Sequence, residues 1–245
     1  MEFTYFGHAC FGVEINNVKL LFDPFITGNP LPAAKKIDVG AIEADYIFLS
    51  HGHGDHMADC ETIAKRTGAT VVTNAELSDW LNEKGISSHP MNIGGKANLK
   101  GGKFTYGPGE IQVKCVVAQH SSSTNEGMYA GNPVGFIISS GNDAFYYSGD
   151  TGLTMDMQLI PRWAKLNFAV LPIGDNYTMG AEDALECARM IKCKTVIGVH
   201  YDTFASLVKI DHDWAKKVFS EAGFELKLPA IGETISVGGI SQLAG

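Results

Sequence analysis

The sequence has few cysteines, and no two of them are separated by only two residues. Its five cysteines are Cys10, Cys60, Cys115, Cys187 and Cys193. An odd number leaves at least one thiol unpaired in a monomer. Closely spaced cysteine pairs are typical of structural zinc sites, and even numbers of cysteines are typical of small disulfide-stabilised secreted domains. The pattern therefore argues against both classes and predicts reduced, mostly buried thiols in a cytoplasmic protein.

Long apolar runs and basic clusters are also missing. No apolar run approaches the roughly 20 residues of a membrane-spanning helix. The first eight residues lack the basic segment and apolar segment of a secretory signal, so we expect neither membrane insertion nor secretion. Lys and Arg number 19 against 27 Asp and Glu, a net charge of −8. Because nucleic-acid binding needs clustered basic residues, the charge argues against a nucleic-acid partner and leaves a small-molecule substrate open.

The length of 245 residues allows one large domain or two small ones. No repeat, low-complexity segment or linker divides the chain, so we expect a single domain over residues 1–245. Each half has a run of predicted strands followed by helix–strand–helix units. This order predicts an α/β protein with two packed sheets and helices outside. The stretch from Gly94 to Gly102 is predicted to be rich in turns.

The densest polar cluster is Ser50–His56, which contains three histidines and one aspartate, namely His51, His53, Asp55 and His56. It follows Tyr46–Leu49, a short apolar run typical of a buried strand. The cluster is therefore predicted at the C-terminal end of a strand, where α/β proteins commonly carry their chemistry. Gly52 and Gly54 separate the histidines, and their backbone freedom is expected to turn the imidazoles towards one point. Imidazole with carboxylate suits zinc and similar divalent cations.

Three more potential ligands follow predicted strands. Each is a histidine or aspartate at the end of a short apolar run, and they are His120, Asp150 and His200. Together with the first cluster they supply five histidines and two aspartates. One tetrahedral ion takes about four ligands, so this set suits two ions that share a carboxylate. Two cations roughly 3.5–4 Å apart can hold a bridging hydroxide and stabilise an oxyanion.

The order of these ligands, beginning with His51-x-His53-x-Asp55-His56, resembles the metallo-β-lactamase superfamily over nearly the whole chain. Four further stretches look like one branch of it, the uncharacterised metal-dependent hydrolases related to L-ascorbate-6-phosphate lactonases. These stretches are Gly7–Phe11, Phe22–Phe25, Gly174–Gly180 and His200–Phe204. The resemblance implies a four-layer αβ/βα sandwich of two mixed sheets with helices outside, and metals in a cleft at one edge.

The resemblance also divides the seven ligands between two ions. The first ion would be held by His51, His53 and His120. The second ion would be held by Asp55, His56 and His200, with Asp150 as the bridge. A hydroxide between the ions would attack a small ester, lactone, amide or phosphoester, and Asp55 could move the proton. We therefore predict a binuclear hydrolase with two divalent ions; zinc fits best, while manganese, nickel and iron share these ligands.

Four residues outside the ligand set each have two possible roles. Asp23 could orient a metal-bound histidine by accepting its second N–H, or could form the turn before Pro24. His8 could act on the substrate or on a proton as a catalytic residue, or could be a buried structural histidine. Asn176 and Tyr177 could face the substrate, or could form the turn before a helix.

Three other functions share these motifs. A metal-dependent nuclease or phosphodiesterase is the main alternative, although such enzymes usually need an added RNA-binding domain or basic exosite. A di-iron redox centre usually has a glutamate in the first cluster, where this chain has Gly54. A non-enzymatic metal-binding protein would also need the ligand set. Homo-oligomers are common among related proteins, so we expect one here.

Overall fold

Two β-sheets packed face to face form the centre of the computed structural model, which describes residues 1–101, 103–105, 107–204 and 206–238. The predicted domain bounds of 1–245 extend past the described residues, and a single domain stays a prediction. Gly102, at the end of the stretch predicted to be rich in turns, also lies outside them. Within the described ranges, no helix has the length and apolar character that crossing a bilayer requires.

The strands are short and alternate with few helices. In chain order they are β1 (Glu2–Gly7), β2 (Cys10–Ile15), β3 (Val18–Phe22), β4 (Tyr46–Phe48), β5 (Thr70–Asn74), β6 (Ser88–Met91), β7 (Lys96–Lys100), β8 (Lys103–Thr105), β9 (Ile111–Val117), β10 (Val134–Ser140), β11 (Asp143–Tyr147), β12 (Phe168–Pro172), β13 (Thr195–Val199), β14 (Glu225–Lys227) and β15 (Thr234–Ser236). The helices are α1 (Gly54–Met57), α2 (Cys60–Thr67), α3 (Ala75–Glu83), α4 (Ala181–Met190) and α5 (His212–Glu221). Short 3-10 helices cover Ala34–Lys36, Val39–Ala41 and Met155–Arg162.

Both sheets are mixed. The first has the order β15-β1-β2-β3-β4-β5-β6, antiparallel as far as β3 and parallel from there on. The second has the order β14-β13-β12-β11-β10-β9-β7-β8, parallel from β14 to β11 and antiparallel beyond. Strands β9, β11 and β13 run the same way, so their C-terminal ends lie at one edge.

Three apolar layers hold the sheets and helices together. One lies between the sheets, and it includes a column of stacked rings formed by Phe11, Phe22 and Phe48 at centroid distances of 4.6 and 4.8 Å. A second lies between α2 or α3 and the first sheet, and a third lies between α4 or α5 and the second sheet. The predicted four-layer αβ/βα sandwich is therefore confirmed.

The pattern of β4 shows how the sequence builds these layers. Tyr46 and Phe48 enter the layer between the sheets, whereas Ile47 points the other way into the layer under α2. Successive side chains of a strand face opposite sides, so a strand covered on both faces must be apolar throughout. This explains why an uninterrupted apolar run precedes the histidine cluster.

The prediction that the stretch from Gly94 to Gly102 is rich in turns was wrong in its centre, because β7 lies there. Asn98 and Lys100 are polar residues that alternate with the buried Leu99, a pattern typical of a strand with one solvated face. The stretch from Phe25 to Val39, predicted as a loop, contains only the short 3-10 helix Ala34–Lys36 and the first residue of the next one.

Candidate metal centre

The predicted ligands lie at one edge of the two sheets, each just beyond the end of a strand. His51 and His53 follow β4 in the first sheet, and the one-turn helix α1, which begins after His53, carries Asp55 and His56. The other three come from the second sheet, where His120, Asp150 and His200 follow β9, β11 and β13. His8 joins them at the turn between β1 and β2, because β1 runs in the same direction as β3 and β4.

The glycines of the cluster are needed for a different reason from the predicted one. Neither Gly52 nor Gly54 has a positive φ, so backbone freedom was the wrong explanation. Each lies against the loop that follows His120. A Cβ on Gly52 would overlap the side chain of Ala130, and a Cβ on Gly54 would overlap the side-chain amide of Asn125. The loop therefore packs directly on the histidine cluster.

The first predicted group is assembled as expected. His51, His53 and His120 each offer a ring nitrogen, and these three nitrogens lie within 4.8 Å of one another. The Nε2 of His51 and the Nδ1 of His53 are 2.9 Å apart. Burial lowers the pKa of all three imidazoles, and that of His51 lies well below its usual value. The neutral form carries the lone pair that a metal ligand needs.

The second group has one member more than predicted. Asp55, His56 and His200 each place a ligand atom within 4.8 Å of one another, and His8 places one in the same group. The His8 side chain is fully buried, whereas the Asp55 side chain is 28% exposed. Asp55 is thus the member of this pair that solvent or a substrate could reach.

Asp150 lies between the two groups. Its Oδ2 is 2.9 Å from Nε2 of His200, 3.2 Å from Nε2 of His56 and 3.8 Å from Nε2 of His120. Its other oxygen, Oδ1, is buried and has no hydrogen-bond partner among the described residues. A buried carboxylate oxygen without a partner is costly unless a cation neutralises it. This donor set fits a divalent metal.

A fully buried carboxylate, that of Asp23, supports the histidines from behind. Asp23 Oδ2 lies 2.8 Å from Nδ1 of His56 and also accepts hydrogen bonds from the hydroxyls of Ser50 (2.6 Å) and Tyr147 (2.5 Å). Its Oδ1 accepts the backbone N–H of Ser50 at 2.7 Å. The Ser50 hydroxyl in turn lies 2.9 Å from Nδ1 of His51.

These contacts fix which ring nitrogen carries the proton. Because the Ser50 hydroxyl donates to Asp23, it accepts from Nδ1–H of His51, and His56 likewise donates its Nδ1–H to Asp23. His51 then presents an unprotonated Nε2 to the centre. Burial alone would lower the pKa of His56, but the carboxylates of Asp150 and Asp23 raise it well above its usual value, so a metal at its Nε2 would have to displace a proton. Of the two roles considered for Asp23, the structure bears out the hydrogen bond to a histidine of the cluster. Its φ of 40° shows that it turns the chain as well.

His8 makes a similar link to another candidate ligand, Asp55. Its Nδ1 lies 2.9 Å from Oγ1 of Thr203, and its Nε2 lies 3.1 Å from Oδ2 of Asp55. Burial, and next the neighbouring His200, lowers the pKa of His8 to about 3, so it is neutral near pH 7. A neutral ring that donates Nε2–H to the Asp55 carboxylate must accept the Thr203 hydroxyl proton at Nδ1.

The loop after β12 carries Asn176 and Tyr177 and packs beside Asp150. Met179 donates its backbone N–H to the carbonyl of Thr151, which follows Asp150 directly. Tyr177 is 51% exposed, and α4 begins after Gly180 with no side-chain cap. The two residues form the turn before α4, where the backbone N–H of Tyr177 donates to the carbonyl of Asp175 at 2.6 Å, and their contact with a substrate stays a prediction.

Comparisons with known proteins agree with this geometry. Residues 19–201 match the family model described as "Beta-lactamase superfamily domain". A "UPF0173 metal-dependent hydrolase" of Flavobacterium johnsoniae is 47% identical over 237 residues, which cover 97% of this chain and 100% of that protein. Another, of Methylacidiphilum infernorum, is 42% identical and is matched over 96% of this chain and 99% of its own.

A solved structure has the same architecture. The metallo hydrolase Igni18 of Ignicoccus hospitalis superposes with a TM-score of 0.83 at 34% identity, over 96% of this chain and 97% of that one. This chain belongs to the metallo-β-lactamase superfamily. It is one of the superfamily's metal-dependent hydrolases. The expected kinship with L-ascorbate-6-phosphate lactonases stays a prediction.

Sequence reasoning missed three residues that position the hydrolase's candidate ligands. Ser50 was seen only as the start of the cluster, Tyr147 only as part of a strand, and Thr203 only as one of several residues after His200. A signal existed for Ser50, because a hydroxyl beside His51 can accept its Nδ1–H. Tyr147 and Thr203 reach Asp23 and His8 across 124 and 195 residues, which no local pattern indicates.

We predict that Asp23→Asn weakens zinc binding by the hydrolase about 10- to 100-fold, the usual cost of losing a residue that orients a ligand. The amide cannot accept all the hydrogen bonds of the carboxylate, so His56 and His51 lose their fixed tautomers. Competition with a chromophoric chelator measures the affinity. Asp59→Asn is the matched control, because Asp59 is also buried but accepts the backbone N–H groups of Ile26 and Thr27. Equal zinc affinity in Asp23→Asn and wild type would contradict the prediction.

Proposed function

We propose that this metal-dependent hydrolase is binuclear and cleaves a small ester, lactone, amide or phosphoester. The observation that supports two ions is the position of Asp150, whose Oδ2 lies within 3.8 Å of histidine nitrogens from both groups. One tetrahedral ion could not use both groups together with Asp150. Zinc fits the imidazole and carboxylate donors best, with manganese, nickel and iron as the other candidates.

The bound cations would supply Lewis acidity and a water of lowered pKa. The chain's own contribution is to hold its donors in place and to handle the proton. Asp55 is suited to the proton because His8 contacts only its Oδ2 and because its side chain is 28% exposed, so that a water could reach it. Burial alone would raise the pKa of Asp55, but the hydrogen bond from His8 and the neighbouring His56 together outweigh burial and hold the carboxyl ionised near neutral pH. Asp55 is thus proposed as general base, with His8 fixing its orientation.

The net charge of the chain bears on the size of the substrate. A net charge of −8 disfavours a long polyanion, which supports a small molecule over nucleic acid. A nuclease or phosphodiesterase remains the alternative within the same superfamily. The metal-binding protein without activity that the sequence left open is not supported, because relatives at 47% and 42% identity are metal-dependent hydrolases. A homo-oligomer stays a prediction.

The proposal predicts about two zinc ions per chain and metal-dependent turnover of one class in a panel of lactones, esters, amides and phosphodiesters. Protein purified without added metal or chelator is assayed by mass spectrometry for metal and by product formation for activity. Asp55→Asn should lower kcat by about 10²–10⁴, the range of general-base catalysis. Asp183→Asn, an exposed first-turn residue of α4, is the matched control. One ion per chain with full activity would contradict the binuclear proposal, and a chain that takes up no metal would contradict the hydrolase.

A further prediction concerns the role of His8. Thr203→Val removes the hydroxyl that donates to Nδ1 of His8, so the ring can adopt the other tautomer and stop donating to Asp55. We expect kcat to fall by up to about tenfold, the value of one buried hydrogen bond. Thr203→Ser keeps the hydroxyl and should restore kcat. Steady-state kinetics on the substrate found in the panel measures both variants, and a valine variant as active as the serine variant would contradict this role.

A further inference from the structure

The outer face of the second sheet carries two adjoining cavities away from the metal ligands. Helices α4 and α5 pack against β12 and β14. The walls of both cavities are formed by residues of the 3-10 helix Met155–Arg162 and of β9 and its neighbouring strands. The cavities share one wall, the indole of Trp163. Neither is lined by any of the seven candidate ligands, so the face is separate from the site of the proposed function.

The first cavity is apolar. Its volume is about 230 Å³, and its walls include Val116, Met157 and Ile160. Leu159 and Trp163 lie at its rim and are 39% and 44% exposed. The carboxylate of Asp156 also lines it, and it accepts a hydrogen bond from Thr154 at 3.1 Å. A cavity of this volume can hold a short hydrocarbon chain. The exposed apolar side chains at its rim are of the kind that marks a binding site.

The second cavity is cationic. It measures about 210 Å³ and is lined by Lys96, Lys114 and Arg162 together with uncharged residues. No carboxylate is among its lining residues in the described part of the chain. Over the same residues, none of the three cations forms an ion pair. The chain as a whole has a net charge of −8, whereas the side chains around this cavity carry three positive charges.

The strand register places two of these lysines side by side. Lys96 of β7 lies directly opposite Lys114 of β9, and Lys114 lies opposite Ile137 of β10. Residues directly opposite on antiparallel strands project from the same face, and like charges in that position are destabilising. Lys114 is held there by donating to the carbonyl of Gly94 at 2.6 Å and by lying 4.9 Å from the Trp163 ring centroid.

We propose that the two cavities form one binding site for a small amphiphilic anion. Its carboxylate or phosphate would lie between Lys96, Lys114 and Arg162, and its apolar chain would fill the cavity behind Trp163. The anion would relieve the repulsion between the two lysines, and the planar fork of the Arg162 guanidinium can bind two oxygens of a carboxylate or phosphate. The volumes of about 230 and 210 Å³ limit the ligand to a small molecule with one short apolar chain.

The test uses the metal-loaded full chain and three probes in isothermal titration calorimetry. Octane sulfonate has both an anionic head and an apolar chain, and sulfonates are poor metal ligands. Methane sulfonate has the head alone and octanol the chain alone. We expect one octane sulfonate to bind per chain. Methane sulfonate and octanol should each bind at least about tenfold more weakly, since one lacks the apolar chain and the other lacks the anionic head.

Three substitutions test which residues bind octane sulfonate. Lys96→Gln and Arg162→Gln should each lower the affinity for octane sulfonate by about tenfold. Lys100→Gln is the matched control, because Lys100 lies on the same strand, carries the same charge and does not line either cavity. Lys96→Gln should also raise the melting temperature of the ligand-free protein, because it removes the lysine–lysine repulsion. This rise shows that a loss of binding is not a loss of folding.

Four outcomes would overturn the proposal. They are octane sulfonate affinity equal in wild type and Arg162→Gln, an equal loss in Lys100→Gln, octanol binding as tightly as octane sulfonate, and no binding at all. Anionic lipid vesicles and a single-stranded oligonucleotide are tested as competing partners. If either binds through Lys96 and Arg162 while octane sulfonate does not, the cationic cavity serves a membrane or a nucleic acid instead.

Discussion

The buried carboxylate of Asp23 is the constraint on which the candidate centre depends. It directly follows β3 of the first sheet and accepts a hydrogen bond from Tyr147 of β11 in the second, so it ties the two sheets together at the edge that carries the ligands. The same carboxylate fixes His56 directly and His51 through Ser50. A fully buried carboxylate is tolerated only with such donors, so the packing of the sheets and the orientation of the imidazoles depend on each other.

Around this point the fold brings distant segments into a small volume. Strand ends of both sheets supply the ligands, and the turn between β1 and β2 adds His8, whose carbonyl accepts the backbone N–H of His200 at 2.9 Å. His8 and Asp23 therefore support different ligands of the centre. Asp23 holds two histidines by their Nδ1–H groups, and His8 holds the Asp55 carboxylate by donating Nε2–H. Both arrangements fix proton positions before any metal or substrate binds.

The sequence could indicate which side chains lie together because apolar runs from four strands each lead into histidine or aspartate, and the two packed sheets with helices outside follow from the strand and helix order. The contacts that orient these ligands could not be predicted from the sequence. Thr203 pairs with His8 across 195 residues, which only the tertiary fold brings about. The purpose of Gly52 was mistaken, since its close neighbour Ala130 lies on another loop. Helix α1 has four residues, too few to show a helical period.

The central claim is that one edge of the sandwich holds two metal ions on either side of Asp150. Anomalous X-ray diffraction from zinc-loaded crystals, collected on both sides of the zinc absorption edge, tests it most directly. The account predicts two zinc peaks per chain, one against His51, His53 and His120 and the other against Asp55, His56 and His200, with Asp150 in contact with both. A single peak at full zinc saturation, or a peak coordinated by other residues, would contradict it.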